Sequence, residues 1–130
     1  MTLHPENIIK SYHLEIGEVI VYEHFMLAKL NEGLILTLER IFELIGISEV
    51  HFRNRNFAYI TLRDNSYSID PTIYTHIREL SNLKAFAIVS TKNVDQHNFK
   101  IEKHFFEAKP MGLFAKTEDA INWAMEYVKG

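Results

Sequence analysis

The sequence predicts an α/β fold, in which a mixed sheet has an antiparallel N-terminal part and parallel core strands and is covered by about four helices. Two short apolar runs, Phe57–Leu62 and Leu83–Val89, are typical of strands buried on both faces of a parallel sheet. A stretch rich in Val, Ile, Tyr and Phe over residues 12–30 precedes them, and segments with helical spacing of apolar residues separate and follow them. Right-handed crossovers then place the later strands parallel, with helices on both faces.

Length and composition indicate one domain. The chain has 130 residues, of which 47% are hydrophobic and 24% are charged, and these values are ordinary for globular proteins. We predict an N-terminal extension over residues 1–11 and a single domain over 12–130. Repeats, linkers and low-complexity tracts are not recognisable in the sequence.

Charge and composition also narrow the class of partner. Acidic residues outnumber basic ones by 17 to 14, so the formal net charge of -3 lacks the basic character of a nucleic-acid-binding protein. The chain has no cysteine, and no window approaches the ~20 apolar residues that span a bilayer. Because no apolar segment typical of a secretory signal follows Met1, we predict a cytoplasmic protein.

The first half of the chain predicts a meander followed by a helix. Residues 12–30, with a break at Gly17-Glu18 and a turn at Asn31-Glu32-Gly33, predict two or three antiparallel strands. Apolar residues near helical spacing then predict a helix over about 38–51, with Thr37 as its N-cap.

The second half predicts three more helices and a short strand. Asp70 followed by Pro71 predicts the start of a helix, with a buried stripe at Ile73, Ile77 and Leu80. Asn93 and Gln96 resemble a capping box before a third helix. Its predicted buried face is Val94, Ile101 and Phe105. Residues 111–115 predict a strand, and Thr117 is the predicted cap of a last helix. The stripe of that helix is Ala120, Ile121, Ala124, Met125 and Val128, with Trp123 partly exposed.

The polar loop over residues 63–70 is the predicted functional site, because it follows a core strand and precedes a helix. Four residues of the loop offer hydrogen-bond donors and acceptors: Asn65, Ser66, Tyr67 and Ser68. The Arg63 guanidinium could donate two parallel hydrogen bonds to a phosphate or a carboxylate. In the structural alternative, Asn65 and Ser66 close a turn, Asp70 caps the helix and Arg63 pairs with Asp64.

The chain resembles the small SpoIIAA-like group of bacterial STAS/SEC14-type domains. Five segments carry the resemblance: Asn31-Glu32-Gly33, Phe57-Ala58-Tyr59-Ile60, Asn65-Ser66-Tyr67-Ser68-Ile69-Asp70-Pro71 after Arg63, Lys84-Ala85-Phe86-Ala87-Ile88-Val89, and the ending over 114–123. The resemblance implies the same mixed-sheet fold. In the anti-sigma-factor antagonists of the STAS branch, a serine at this loop is phosphorylated to switch partner binding, which implies Ser66 or Ser68 as the modified residue here. This chain has Asp64-Asn65-Ser66-Tyr67 where those proteins have Asp-Ser-x-Gly.

Other chemistry finds little support in the sequence. His97 and His104 are seven residues apart on one predicted helix, too far apart to ligate one ion from consecutive turns, so we predict no metal site. The chain has no nucleophile elbow, P-loop or recognisable pair of catalytic carboxylates. We therefore predict no catalytic residues and no cofactor, and we favour a binding protein over an enzyme.

The predicted function is that of a binding or regulatory module that recognises a protein partner or a small anionic ligand through loop 63–70. The alternative, which the SEC14 resemblance implies, is a carrier with an apolar cavity between sheet and helices; a cavity of ~300 Å³ or more would favour it. A second copy of the chain is a further candidate partner. One group of apolar residues near the third helix either covers the sheet or forms an association surface: Phe99, Phe105, Phe106, Met111 and Phe114.

Overall fold

A computed structural model of the protein describes residues 8–107 and 109–129. Its main sheet has six strands, and a separate pair of two-residue strands lies beside it. The strands are β1 (Ile8–Leu14), β2 (Gly17–Tyr22), β3 (Phe25–Leu30), β4 (Ile35–Leu36), β5 (Phe57–Leu62), β6 (Ser68–Ile69), β7 (Leu83–Val89) and β8 (Met111–Phe114). The helices are α1 (Leu38–Phe52), α2 (Tyr74–Ile77), α3 (Asn93–Phe106) and α4 (Thr117–Lys129). This architecture confirms the predicted α/β fold class.

The main sheet has the order β1, β2, β3, β5, β7, β8. The first three strands pair antiparallel, and β3, β5, β7 and β8 pair parallel. The turn into β2 requires Gly17, which has φ +144 and whose Cβ, if present, would lie 2.5 Å from the Lys29 carbonyl oxygen. Since β1 already begins at Ile8, part of the predicted N-terminal extension is a strand, and residues 1–7 lie outside the described residues.

The core strands β5 and β7 are adjacent and parallel, as predicted, because both are apolar on both faces. Their side chains alternate between two buried clusters. One cluster contains Phe57, Phe86 and Ile88 together with residues of α1 and α2. The other contains Ala58, Ile60 and Ala87 and is covered by α4. The sheet is therefore the middle of three layers.

The ends of α1 and the start of α4 agree with the sequence prediction to within about one residue. Thr37 is the N-cap of α1, and its side chain accepts a hydrogen bond from the Arg40 amide at 3.3 Å. In α4, the Ala120 amide donates to the Lys116 carbonyl at 3.2 Å, so Thr117 is the first helical residue instead of the cap. Ile121 is buried and Trp123 half-buried, as predicted, whereas Met125 is only half-buried.

The predicted helix after Asp70 is shorter than its apolar stripe suggests. Asp70 caps a 3-10 turn at Pro71–Ile73, which continues into the single turn of α2. Ile73 and Ile77 are buried, but Leu80 lies beyond the helix in the turn that leads to β7. The sequence does not predict the short strands β4 and β6, which pair parallel. In the chain, β4 precedes α1 and β6 precedes the 3-10 turn at Pro71–Ile73.

The predicted buried face of α3 is wrong. Val94 and Ile101 are exposed, and the residues of α3 that are buried are Glu102 and Phe106. The capping-box prediction is also wrong, because Lys92 is the N-cap and Asn93 is already helical. The helix is rotated so that Glu102 reaches a buried cation on the sheet. Phe99 and Phe105 are half-buried against the core, so the aromatic group largely covers the sheet.

Candidate functional site

The predicted site lies where β5 and β7 end and α3 begins. Backbone hydrogen bonds hold loop 63–70 across this edge: Gly33 donates to the Ser66 carbonyl at 2.7 Å, and Ser68 donates to the Leu34 carbonyl at 2.9 Å. The Asn65 side-chain amide donates to the Leu30 carbonyl at 3.0 Å. The loop is thereby fixed to the segment after β3, which leaves its hydroxyl side chains to define the surface.

Arg63 continues the alternation of β5 and points to the same face of the sheet as Tyr59 and Thr61. Only 6% of its surface is exposed. Its guanidinium forms two parallel hydrogen bonds with Glu102, Nη1 to Oε1 at 2.8 Å and Nη2 to Oε2 at 2.7 Å. The fork that the sequence offers to an external anion is therefore occupied by a carboxylate of α3.

Two tyrosines complete this buried group. The Tyr74 hydroxyl donates a short hydrogen bond to Glu102 and accepts one from Arg63 at 3.2 Å. The Tyr67 hydroxyl accepts from Arg63 Nε at 3.3 Å and lies 3.0 Å from the Thr61 hydroxyl. Every member of the group thus has a polar partner, as burial requires.

The electrostatics of the group favour the charged guanidinium. Burial lowers the pKa of Arg63. The hydrogen bonds that Arg63 donates to Glu102, together with its electrostatic interactions with Tyr67, Tyr74 and Glu102, outweigh burial and raise the pKa above its ordinary value. Burial, in turn, raises the pKa of Tyr74 well above 10.0. Both directions favour a cationic Arg63 and a neutral Tyr74 near neutral pH.

A second carboxylate of α3 lies beside the same cation. Asp95 Oδ1 is 3.6 Å from Arg63 Nη1, and Asp95 Oδ2 accepts from the Ser90 hydroxyl at 2.5 Å. Ser90 Oγ accepts in turn from the Lys92 amide at 3.0 Å. The first turn of α3 is thus attached to the ends of both core strands.

Ser66 is the exposed hydroxyl at the centre of the loop. Its Oγ accepts a hydrogen bond from Lys92 Nζ at 3.1 Å, and its backbone amide donates to Glu32 Oε1 at 2.8 Å. Lys92 is also the N-cap of α3, and it makes no side-chain capping hydrogen bond. Ser66 therefore lies between a cation at a helix N-terminus and a carboxylate on the neighbouring turn.

The remaining predicted residues divide between surface and scaffold. Ser68 is exposed in β6, and Tyr67 is half-buried beneath the loop. Asp70 Oδ1 accepts from the Thr72 amide at 3.0 Å and from the Thr72 hydroxyl at 2.8 Å. These hydrogen bonds lower the pKa of Asp70 below 3.8, so the carboxylate is a cap, as the structural alternative holds.

The structure therefore separates the predicted site residues. Ser66 and Ser68 face solvent, whereas Arg63 is buried and pairs with Glu102 rather than with the predicted surface partner Asp64. Asp64 instead pairs with Lys29, with 4.0 Å between Asp64 Oδ2 and Lys29 Nζ. Sequence reasoning missed Glu102, Tyr74, Asp95 and Lys92. In β5, side chains alternate between the two faces of the sheet, so Phe57, Tyr59, Thr61 and Arg63 share one face. This alternation is the sequence signal that could have predicted a buried Arg63.

An apolar cavity of about 40 Å³ lies between the sheet and α1. Met26, Leu44, Phe57 and Ile69 contribute to its wall, and Arg63 and Tyr67 lie at its polar end. A depression of about 560 Å³ runs along β4 and β6, but Ser68, Asp70, Thr72 and His76 give it a mixed lining. The apolar cavity has room for a few water molecules at about 10–15 Å³ each.

Neither a metal site nor a membrane-spanning helix is found among residues 8–107 and 109–129. No group of three or more His, Asp or Glu side chains there is arranged to hold a metal ion. No helix in the same part of the chain has both the length and the apolar character to cross a membrane.

Comparisons with protein families, with curated proteins and with solved structures find no match to this chain.

Proposed function

We propose that the protein is a non-catalytic binding or regulatory module of STAS-like type. Loop 63–70 recognises a protein partner or a small anionic ligand. The observation that carries the proposal is the contact of the exposed Ser66 hydroxyl with Lys92 Nζ at 3.1 Å, beside the N-terminus of α3. A helix N-terminus with a neighbouring cation favours a negative group.

Ser66 is also suited to a phosphorylation switch. A phosphate there would carry about two negative charges and would be attracted by Lys92. The same phosphate would be repelled by Glu32, which now accepts a hydrogen bond from the Ser66 amide. The two opposite forces act on one residue, so modification would strengthen the contact with Lys92 and weaken the contact with Glu32. Ser68 is the second candidate, since it is also exposed on this loop.

Arg63 supports the loop from beneath in this proposal. It bonds to Tyr67 within the loop and to Glu102 on α3, so it fixes the position of the loop relative to Lys92. Arg63 is a positioning residue, and Ser66, Ser68 and Lys92 are the residues that a ligand would touch.

A phosphate titration tests the anionic ligand. With inorganic phosphate as probe, amide chemical shifts of Ser66 and of residues 92–95 are expected to move, and Lys92→Ala is expected to remove the effect. The matched control is Lys116→Ala, which removes an exposed lysine just before α4. Shifts scattered over the surface, or unchanged in Lys92→Ala, would count against the site.

Capture from native lysate tests the protein partner. We expect Ser66→Asp to lose at least one prey that wild type and Ser81→Asp share, as measured by quantitative mass spectrometry. Ser81 is an exposed serine in the turn before β7, so its replacement controls for added charge. Identical prey for both aspartate variants would overturn the switch.

The apolar lining of the cavity is the feature that the alternative function, that of a carrier, would use. Its volume of about 40 Å³ is well below the roughly 300–1,000 Å³ of ordinary ligand pockets. A carrier of this fold would have to move α1 away from the sheet to admit a ligand. The binding module requires no such movement, and we rank it first for that reason.

A further inference from the structure

The two faces of α3 differ in charge. On the inward face, Glu102 is 2.7 Å from Arg63 Nη2 and Asp95 is 3.6 Å from Nη1, so both carboxylates pair with one buried cation. The third carboxylate, Glu107, follows the helix and lies 3.1 Å from Arg78 Nη1. The acidic residues in and directly after the described α3 thus all have basic partners on the rest of the protein.

The outward face combines apolar and basic side chains. Val94 is 56% exposed and Ile101 is 50% exposed, and the exposed His97 and His104 lie on the same stripe. Positions 94, 97, 101 and 104 repeat with the spacing of a coiled-coil seam. Lys100 and Lys103 are exposed beside it. This positive surface stands on a chain whose formal net charge is -3.

We infer that this outward face of α3 is a docking surface for an acidic amphipathic helix of a protein partner. Val94 and Ile101 are about 10 Å apart along the helix, which matches two successive apolar layers of a partner helix. Lys100 and Lys103 would pair with Glu or Asp side chains beside those layers. Charge complementarity of this kind sets the choice of partner and the rate of association.

The inference rests on the proposed function, because the N-cap of α3 is Lys92, the residue that contacts Ser66. It adds the class of partner and the surface on which it sits. A nucleic acid is the competing occupant of a basic surface. The stripe has His97 and His104 but no Phe, Tyr or Trp for unpaired bases to stack on, and its exposed Val94 and Ile101 favour a helix.

The experiment is a selection from a displayed library of helical peptides. Each peptide has about four heptads with fixed Leu or Ile at the seam and a free choice of Glu, Lys, Ser or Ala at the flanking positions. We expect peptides selected on the wild-type protein to be enriched in Glu over Lys. Fluorescence anisotropy of one selected peptide should then show binding weakened by at least about tenfold in Val94→Ser/Ile101→Ser and in Lys100→Glu/Lys103→Glu, a loss of about 1.4 kcal/mol.

Val50→Ser is the matched control, since Val50 is a 75% exposed valine on α1 and its replacement should leave binding unchanged. Thermal melts that overlay wild type would show that the α3 variants are folded. The inference is overturned if Glu is not enriched, if the α3 variants bind like wild type, or if a single-stranded oligonucleotide binds more tightly than the peptide. Peptides that shift amides of 64–70 and none of α3 would retain the proposed function and reject this surface.

Discussion

Arg63 shows how one residue can change from ligand-binding candidate to scaffold once its partner is known. Its side chain is 6% exposed, and its guanidinium donates hydrogen bonds to Glu102, Tyr67 and Tyr74. Breaking a buried ion pair from one side leaves an uncompensated charge, whereas replacing both partners with apolar residues is often neutral. Variants at Arg63 therefore report on folding before they report on binding.

We predict that Arg63→Met and Glu102→Leu each lower the free energy of unfolding by about 3–5 kcal/mol. The double variant Arg63→Met/Glu102→Leu should lose much less than the sum, because neither charge is left alone. Urea denaturation of the four proteins measures the coupling. Single variants as stable as wild type would show that the pair does not hold α3 to the sheet.

His51 gives a prediction about pH. Its Nε2 is 2.6 Å from the Tyr12 hydroxyl, which joins α1 to the edge strand β1. Burial, and then the charges of Lys10 and Arg55, lower the pKa of His51 below 6.5. The unfolded chain therefore binds a proton more readily, and stability falls as the pH drops below about 6.5.

The expected result is a difference between two melting curves. Wild type should be more stable than His51→Gln above about pH 7, and the gap should narrow as the pH falls through about 6.5 toward the lowered pKa of the folded state. Thermal melts across this range measure it, and the other titrating groups cancel in the comparison. A gap that stays constant with pH would contradict the prediction.

Among the elements, the core strands are the part that the sequence predicts best. The bounds of β5 and β7 agree with the sequence because each is an unbroken apolar run between polar residues. The buried face of α3 is predicted wrongly because Glu102 on that face pairs with Arg63, which lies 39 positions earlier in the chain. The pairing of β4 with β6 is not predicted either, because it also joins distant parts of the chain. A contact between two segments of two residues leaves no local pattern in the sequence.

Helix α4 offers a test of the apolar stripe that the sequence does predict. Ile121 is buried against the sheet and Met125 is half-buried on the same helix. We predict that Ile121→Ala costs about 2–5 kcal/mol, the range for large-to-small changes in a core, and that Met125→Ala costs clearly less. Thermal or urea unfolding gives the order, and equal losses would show that the helix packs with a different face.

At the scale of the whole molecule, the buried apolar side chains of the described residues form two packed clusters, one on each face of the sheet. The candidate site is at the edge where the strands end, and its polar group is closed by contacts between three separate parts of the chain. Sequence reasoning could find this edge from the change of an apolar strand into a polar loop. It could not find the cation–carboxylate pair beneath it, which exists only once α3 has packed.

Packing also separates the two proposed functions. A cavity of about 40 Å³ leaves no room for an acyl chain, and the large side chains around it, such as Met26 and Phe57, are buried. Protein purified under non-denaturing conditions is therefore expected to show no bound apolar molecule in native mass spectrometry. A co-purifying apolar molecule of about drug size or larger would favour the carrier.

Leu44→Ala provides the matched comparison, because Leu44 is buried in the wall of this cavity. The variant should lose about 2–5 kcal/mol of stability and gain an enlarged apolar void. Since voids of about 150 Å³ lined by apolar side chains bind benzene, benzene should raise the melting temperature of Leu44→Ala and leave that of wild type unchanged. A rise of equal size in wild type would mean that the native cavity already accepts an apolar ligand, and the carrier would then be the better proposal.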